Sequence, residues 1–170
     1  MFVDGETDSG KTFLINRICA HRAKQGFKIL AHNPNGGNIV AHWQTKCRET
    51  FLAACKASRK FVAVVHDAGG SIGRNDAEFD WLATEIRGNE GILIAATQEF
   101  TMCKPIFRTN AQRVIVFNLS PKRAKYWAEL RGFPELEKII PRLPRFHTVD
   151  IQKDRETGLW GYQVRKPIIP

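Results

Sequence analysis

The sequence lacks long apolar runs: the longest, such as Phe61–Val65 and Ile92–Ala96, are far shorter than the roughly 20 residues that span a bilayer. It also lacks a basic amino-terminal region followed by an apolar stretch, which marks a secretory signal. The four cysteines are widely spaced and form none of the close pairs that zinc sites and redox motifs use. We therefore expect an intracellular protein with reduced thiols and no membrane span.

Acidic residues are in deficit. The 170 residues include 26 Lys plus Arg against 17 Asp plus Glu, which gives a formal charge of +9. Such a balance favours a polyanion because binding releases condensed counterions, so nucleic acid is the leading partner class. Net charge alone does not show clustering, and the residues that could together form a phosphate-tracking surface are Arg17, Arg22, Lys24, Lys28, Arg48, Lys56, Arg59, Lys60, Lys122, Arg123 and Lys125.

Repeats and low-complexity segments are also absent, and short apolar strands alternate with helical stretches from the first residue onward. This alternation predicts an α/β fold, a mostly parallel sheet flanked by helices, in one domain over residues 1–170. A tail that alternates around a turn at 154–158 predicts a closing β-hairpin. The predicted strands before that tail cover residues 1–4, 27–32, 61–65, 91–97 and 113–119.

Local signals place the helices. The first runs over 11–25 and stops at Gly26, and a mixed helical stretch with Trp43, Phe51 and Leu52 as apolar anchors reaches about residue 60. Further signals are a capping box of Asn75 and Glu78 that opens a helix to about Arg87, a loop through Pro105, and the cap Ser120 with Pro121 before the helix of Tyr126 and Trp127.

Residues 5–12 read GETDSGKT and fit the pattern of a glycine, four residues, glycine, lysine and a hydroxyl residue, between a strand and a helix. Main-chain amides in such a loop wrap nucleotide phosphates at a helix N-terminus, where the dipole favours negative charge. The pattern therefore predicts ATP and Mg²⁺ as cofactors; a glycine turn that merely caps the helix is the alternative. The residues expected to bind the nucleotide are Gly5, Glu6, Thr7, Asp8, Ser9, Gly10, Lys11 and Thr12.

Within this loop, Lys11 is expected to meet the β and γ phosphates, and the Thr12 hydroxyl is expected to ligate Mg²⁺. Glu6 and Asp8 place carboxylates in a loop meant for an anion, and Asp8 stands where a small residue is common. Their side chains must point outward, since like charge would otherwise weaken phosphate binding.

The strand Phe61–Val65 continues into His66 and Asp67, so an apolar strand ends in an acid that is able to serve Mg²⁺ or its water. Two assignments stay open. Either Asp67 is the metal ligand and the catalytic base lies elsewhere, or His66 stands on the metal side and Asp67 is the base. The non-catalytic alternatives are an acid that caps the next turn and a hydrogen-bonded filler histidine.

The segment 91–98, GILIAATQ, is a buried strand with polar residues at its end, as expected of a strand between the two that carry the phosphate loop and Asp67. Gln98 is a candidate to orient the attacking water or to contact the γ phosphate, and a solvent-facing strand end is the alternative. Arg87, Arg108 and Arg113 are candidates for an arginine offered to a neighbouring subunit's nucleotide, and solvated surface arginines are the alternative.

These residues resemble the FtsK and HerA superfamily, especially the small genome-packaging ATPases of double-stranded DNA viruses. The phosphate loop and the strand ending at Asp67 are shared by many P-loop enzymes. Two later segments are more diagnostic. Residues 86–100, IRGNEGILIAATQEF, are similar to the family's arginine, short glycine-bearing turn, apolar strand and terminal threonine-glutamine. Residues 105–120, PIFRTNAQRVIVFNLS, are similar to its basic residue, asparagine, arginine and strand ending in serine.

The resemblance implies a ring, often hexameric, that hydrolyses ATP at subunit interfaces and moves double-stranded DNA through its channel. It implies a viral packaging role, with capsid portal or vertex proteins as partners and the host cytoplasm or the virion vertex as location. Chromosome pumps and conjugation proteins of the family usually carry an extra membrane or barrel domain, so this chain is similar to the packaging subgroup or to an excised motor domain.

Two other functions remain open at this stage. One is a nucleotide-binding assembly module without efficient hydrolysis, which the single acid after the Phe61–Val65 strand permits. The other is a phosphotransferase of nucleoside-kinase type, for which the tail supplies Arg142 and Arg145 but no clear lid. A GTPase is disfavoured because the asparagine-lysine-x-aspartate motif that reads guanine is missing.

Overall fold

The computed structural model describes residues 1–72, 76–98 and 102–167. In these ranges eight strands form one sheet in the order β3-β2-β4-β5-β1-β6-β7-β8, with β1 to β6 mutually parallel and β7 and β8 antiparallel. The predicted α/β fold and closing hairpin are therefore confirmed. The strands are β1 (Phe2–Asp4), β2 (Lys28–His32), β3 (Trp43–Thr45), β4 (Phe61–Val65), β5 (Ile92–Thr97), β6 (Arg113–Val116), β7 (Thr148–Lys153) and β8 (Trp160–Arg165).

Helices cover both faces of this sheet. They are α1 (Lys11–Lys24), α2 (Arg48–Lys56), α3 (Ala68–Ser71), α4 (Asp80–Thr84), α5 (Pro105–Thr109), α6 (Pro121–Arg131) and α7 (Leu136–Ile139), with 3₁₀ turns at Ala77–Phe79, Ile86–Asn89 and Ile140–Arg142. None of the helices in the described ranges is long and apolar enough to cross a bilayer. All four cysteines are free, as predicted.

The central strands are apolar throughout because both of their faces are buried. All five residues of β4 are inaccessible to solvent. One core lies under α1, where Ile15 and Cys19, four residues apart, reach the sheet; the other holds Phe51 of α2 and Trp127 of α6. Gly26 follows α1 with φ +81°, which confirms the predicted helix stop.

The helical prediction for residues 39–60 is partly wrong. The structure places the short edge strand β3 there, paired in parallel with β2, and confines the helix to α2. Phe51 and Leu52 are buried anchors as predicted, but Trp43 lies on β3 and is 36% exposed. Tertiary pairing at a sheet edge overrides the local helical pattern here.

Three further boundaries differ from the prediction. The helix expected to end near Arg87 is a succession of short pieces, α4 between two 3₁₀ turns, and Asn75 of its capping box lies outside the described residues. The loop expected through Pro105 contains α5, with that proline at its first turn, where a missing N–H costs nothing. The strand expected to reach 119 ends at Val116.

The topology positions the candidate site. Strand β5 lies between β1, which precedes the phosphate loop, and β4, which precedes Asp67. This is the order predicted from the sequence. Because these strands are parallel, their carboxyl ends meet at one edge of the sheet, which is where α/β folds bind ligands.

Candidate active site

The phosphate loop needs both of its glycines. A Cβ on Gly5 would lie 2.6 Å from the Ser9 Oγ and 3.0 Å from the Phe117 Cβ. Gly10 has φ +102°, and a Cβ there would lie 3.1 Å from a ring carbon of Phe146. A larger residue at either position would therefore disturb the loop just where it turns into α1.

The two acids of the loop face outward, as the sequence required. Glu6 and Asp8 are exposed, so their carboxylates are solvated rather than directed into the loop. Asp8 has φ +57°, a left-handed conformation that aspartate tolerates better than most residues and that explains why a small residue is common at this position.

Lys11 is only 7% exposed, and its Nζ donates to the Gly5 carbonyl at 2.8 Å and to the Glu6 carbonyl at 2.6 Å. Burial lowers the pKa of Lys11, an effect opposed by the carboxylates of Asp4 and Asp67. The ammonium thus lies inside the loop, in the place where phosphate oxygens are expected.

A buried carboxylate supports the loop from beneath. Asp4, the last residue of β1, is fully buried and accepts hydrogen bonds from the Arg123 guanidinium and, at 2.7 Å, from the Trp127 indole N–H. Burial raises the Asp4 pKa, while these donors act in the opposite direction. The Arg123 side chain, 11% exposed and paired here, therefore does not belong to an exposed basic surface.

Thr12 and His66 meet across the site, with 3.2 Å between the Thr12 Oγ1 and the His66 Nε2. Burial lowers the pKa of His66, so the neutral ring is favoured. The His66 Nδ1 and the Ser9 Oγ are buried atoms that have no hydrogen-bond partner within the described ranges. Buried polar atoms of this kind at a loop for anions fit a site whose ligand completes them.

Asp67 follows β4 with φ +59° and accepts a hydrogen bond from the Asn35 amide at 2.9 Å. A Cβ on Gly70 would lie 2.7 Å from the Asp67 Oδ2, so the first turn of α3 leaves room for the carboxylate. Asn35 is a site residue that was not predicted. The available signal was its place three residues after the end of β2, because the ends of adjacent parallel strands meet.

Gln98, which follows β5, accepts a hydrogen bond from the Thr7 hydroxyl at 2.9 Å. The strand predicted to lie between the other two therefore brings its terminal amide into contact with the phosphate loop. Side chains from the ends of β4 and β5 thus both touch the loop, through Thr12 and Thr7 respectively.

The three candidate arginines differ in their surroundings. Arg87, in a 3₁₀ turn before β5, and Arg113, the first residue of β6, lie at the amino edge of the sheet. Arg87 is exposed, whereas Arg113 forms a two-bond ion pair with Asp150 at 2.7 and 2.9 Å. Arg108 is 7% exposed and stacks on Tyr126, 5.1 Å from the ring centroid. Their role toward a neighbouring subunit stays a prediction.

Aromatic residues line the other side of the phosphate loop, and the sequence analysis missed them. Phe117, just beyond β6, and Phe146, before β7, both approach Gly10. They separate two cavities of about 690 and 300 Å³, the smaller lined also by residues 6–9. No sequence signal joins Phe146 to a loop more than a hundred residues earlier; only the fold does so.

The oxygen donors of the site suit magnesium. In the described ranges no group of three or more His, Cys, Asp or Glu residues forms a metal centre. Magnesium at nucleotide sites needs few protein ligands, because phosphate oxygens and waters complete its octahedron. The Thr12 hydroxyl and the Asp67 carboxylate are hard oxygen ligands of the required kind. Thr12 belongs to the loop itself, and Asp67 follows His66, which contacts Thr12.

The parallel sheet and the loop between β1 and α1 define the fold of P-loop ATPases. The chain is similar to B204, the genome-packaging NTPase of Sulfolobus turreted icosahedral virus 2 in complex with AMPPCP, with a TM-score of 0.78 and 17% identity over 98% of this chain and 96% of that chain. B204 of Sulfolobus turreted icosahedral virus, a DNA-packaging ATPase, gives 0.75 and 18% over 99% and 97%.

A third similar structure is the pCW3 conjugation coupling protein TcpA with ATPγS, with a TM-score of 0.71 and 12% identity over 96% of this chain and 59% of that chain. No family model matches the chain, and no curated protein matches it. The similarity to packaging ATPases expected from the motifs is thus confirmed at the level of the fold.

Proposed function

We propose that this chain is an ATP-hydrolysing motor domain that translocates double-stranded DNA, and specifically that it packages a viral genome. The observation that carries the proposal is the meeting of two strand ends on one phosphate loop: His66 contacts Thr12 at 3.2 Å, and Gln98 contacts Thr7 at 2.9 Å. A loop that only caps a helix would not require such polar contacts from β4 and β5.

The chemistry follows from the positions of these groups. The main-chain amides at the start of α1 and the Lys11 ammonium bind the phosphates and stabilise the charge that develops in the transition state. Thr12 is the residue that would hold Mg²⁺, with His66 beside it on the metal side, and the metal would neutralise phosphate charge when bound. Gln98, which contacts Thr7 of the loop, would orient the attacking water.

The contact between His66 and Thr12 supports one of the two assignments that the sequence left open. It puts the imidazole next to the hydroxyl expected on the metal side. Asp67, held by the Asn35 amide at 2.9 Å, is then the carboxylate that accepts the proton of the attacking water.

The surface that we propose for DNA contact is a basic edge. We use this term for Lys24, Lys28, Lys56, Arg59 and Lys60, which are exposed. They lie around the amino ends of β2 and β4, where the Lys28 amide donates to the Lys60 carbonyl at 3.1 Å. Lysines at one edge are able to track phosphates without reading bases, as packaging requires.

Assembly into a ring, with a hexamer as the expected form, would bring the exposed Arg87 of one subunit to the nucleotide of the next. Packaging would take place at the virion vertex or in the host cytoplasm, with portal or vertex proteins as partners. The similarity to B204 over nearly the full length of both chains supports this reading.

The test measures ATP turnover with and without duplex DNA. DNA is expected to raise the turnover of the native chain, and Lys11→Ala to lower it about 10²- to 10³-fold, because an electrostatic donor at the transition state is lost. The triple variant Lys24→Ala, Lys28→Ala, Lys56→Ala is expected to keep basal turnover, to lose the stimulation by DNA, and to reduce the salt dependence of DNA binding.

The matched control removes the same charge elsewhere: Lys138→Ala, Lys153→Ala, Arg155→Ala changes exposed residues on α7, at the end of β7 and in the turn after it, and is expected to retain the stimulation. An ATP turnover that duplex DNA does not change would contradict translocation. Nucleotide binding without hydrolysis would favour an assembly module, and a phosphorylated small-molecule product would favour a phosphotransferase.

A further inference from the structure

The phosphate loop has two unlike sides. We call the side of His66, Asp67 and Gln98 the polar flank, and the side of Phe13, Phe117 and Phe146 the aromatic flank. We propose that the aromatic flank binds the nucleoside part of the nucleotide, with the base against the Phe146 ring. The inference rests on the proposed function, because it assigns the second half of the ligand whose phosphates the loop would hold.

The rings of Phe117 and Phe146 lie next to Gly10 of the phosphate loop. Gly10, the last residue before α1, has no side chain, and a Cβ there would lie 3.1 Å from the Phe146 ring and 3.4 Å from the Phe117 ring. A group attached to a phosphate held at this helix start therefore meets aromatic carbon as soon as it leaves the loop on this side. On the polar flank it would meet charged and amide groups instead.

A cavity of about 690 Å³ lies beside Gly10. Its apolar lining includes Phe13 and Leu14 of α1 together with Phe117 and Phe146, and its charged lining consists of Arg17, Arg113, Asp150, Arg165 and Lys166. Ligand cavities are generally about 300–1,000 Å³ and mostly apolar, so this one is large enough for a ribose and a base.

Two rings of the aromatic flank are exposed to solvent. Phe13 is 44% and Phe146 43% exposed, although both are large apolar side chains. Two such rings on one cavity wall, next to a phosphate loop, form a contiguous apolar surface of the kind that marks a binding site. Flat aromatic rings suit purines because every base has a π face to stack upon.

The backbone of Phe146 adopts a strained conformation. Phe146 has φ +64°, a conformation that a bulky side chain rarely adopts and that persists only where the surroundings impose it. The Asn118 amide fixes the segment before it by donating to the Pro141 carbonyl at 3.1 Å and to the Leu143 carbonyl at 2.8 Å. The strained ring is thus held against the loop rather than buried in the core.

A cation completes this side. The Arg145 guanidinium stacks on the Phe146 ring, 4.7 Å from its centroid, and both residues border the cavity of about 300 Å³ lined by loop residues 6–9. A positive charge in this cavity offsets the Glu6 and Asp8 carboxylates that also line it, and so favours the phosphate closest to the ribose. The nucleotide is therefore oriented with its terminal phosphate toward Asp67 and its base toward Phe146.

The experiment compares two probes by calorimetry in the presence of magnesium: AMPPCP, which carries the nucleoside, and inorganic tripolyphosphate, which does not. The variant is Phe146→Asn, because asparagine tolerates a positive φ and relieves strain instead of adding it. AMPPCP is expected to bind about 5- to 150-fold more weakly to the variant, the size of a lost stacking contact, while tripolyphosphate binding stays unchanged.

Two further variants complete the design. Phe146→Trp is expected to keep the affinity for AMPPCP. The fluorescence of the introduced tryptophan is expected to change when AMPPCP binds and to stay constant when tripolyphosphate binds. Trp43→Ala removes an exposed aromatic side chain on β3, distant in the sheet order, and is expected to bind both probes normally. The thermal midpoint of each variant confirms folding.

The outcomes separate the two proposals. Native protein that binds neither probe would contradict the phosphate loop itself. Native protein that binds both probes equally tightly, or a Phe146→Asn variant that weakens both equally, would overturn the nucleoside assignment and leave the loop assignment standing.

Discussion

The polar and aromatic flanks of the phosphate loop are assembled in different ways. The polar flank comes from the ends of adjacent parallel strands, so His66, Asp67 and Gln98 are brought together by sheet hydrogen bonding alone. The aromatic flank joins α1 to segments beyond β6 and before β7, and the Asn118 side chain holds those segments in place. Under the two proposals, the chemistry would depend on the ends of the sheet strands, while nucleoside binding would depend on tertiary packing.

The sharpest way to separate the flanks is Asp67→Asn. As loss of a general base it should reduce kcat about 10²- to 10⁴-fold, with AMPPCP affinity retained. Phe146→Asn is the reciprocal control, since it should weaken binding and spare kcat at saturating ATP. Steady-state kinetics with calorimetry test this, and a strong fall in nucleotide affinity for Asp67→Asn would show that the flanks do not divide the work. A raised magnesium requirement would return Asp67 to the metal role.

A smaller effect is expected from Asn118→Ala. The substitution leaves the carbonyls of Pro141 and Leu143 without their donor, which should cost about 1–3 kcal/mol of unfolding free energy and weaken AMPPCP binding. Chemical denaturation measures the first and calorimetry the second.

Asn16→Ala is the matched control for Asn118→Ala. Asn16 also ties a loop with two hydrogen bonds, to the Asn38 carbonyl and from the Val40 amide, both at 2.8 Å. It should lose stability without losing affinity on the aromatic flank. Equal losses of affinity in both variants would mean that binding merely follows stability.

The smallest effect concerns pH. His32, 1% exposed at the end of β2, packs on Phe51 and Phe79, and burial lowers its pKa below the 6.5 of an unfolded histidine. Arg48 acts in the same direction, and Glu49 opposes it. Below pH 6.5 the unfolded chain takes up a proton that the folded chain resists, so unfolding free energy should fall as the pH decreases.

His32→Leu tests this effect, because it removes the titrating ring under the polar flank. The variant should lose less unfolding free energy between pH 7 and 5 than the native chain does. Parallel denaturation curves at each pH provide the measurement, and identical slopes for both proteins would assign the dependence to other groups.

Much of the fold was predictable because its signals are local. The apolar run of β4, the glycine after α1 and the loop pattern at residues 5–12 each depend on neighbours in sequence, and the structure confirms the strand, the helix stop and the strand-loop-helix context. Strand β3 was missed because three residues at a sheet edge carry too little pattern and owe their conformation to β2.

The site residues, too, were predictable only where their sequence signals are local. Lys11, Thr12 and Asp67 were predictable because each follows a recognisable strand or motif. Asn35 was predictable in principle from its strand end. Phe146 was not, since its position against Gly10 depends on the whole path of the chain between them. Residues that act through distant packing leave no periodic or spacing signal in a single sequence.

The Lys11 ammonium already satisfies two carbonyls of its own loop, at 2.8 and 2.6 Å. An incoming phosphate must therefore compete with these carbonyls, which weakens association somewhat but leaves the ammonium an alternative partner when the product departs. In the proposed motor this arrangement would favour the release of spent nucleotide, a step that limits the turnover of many enzymes.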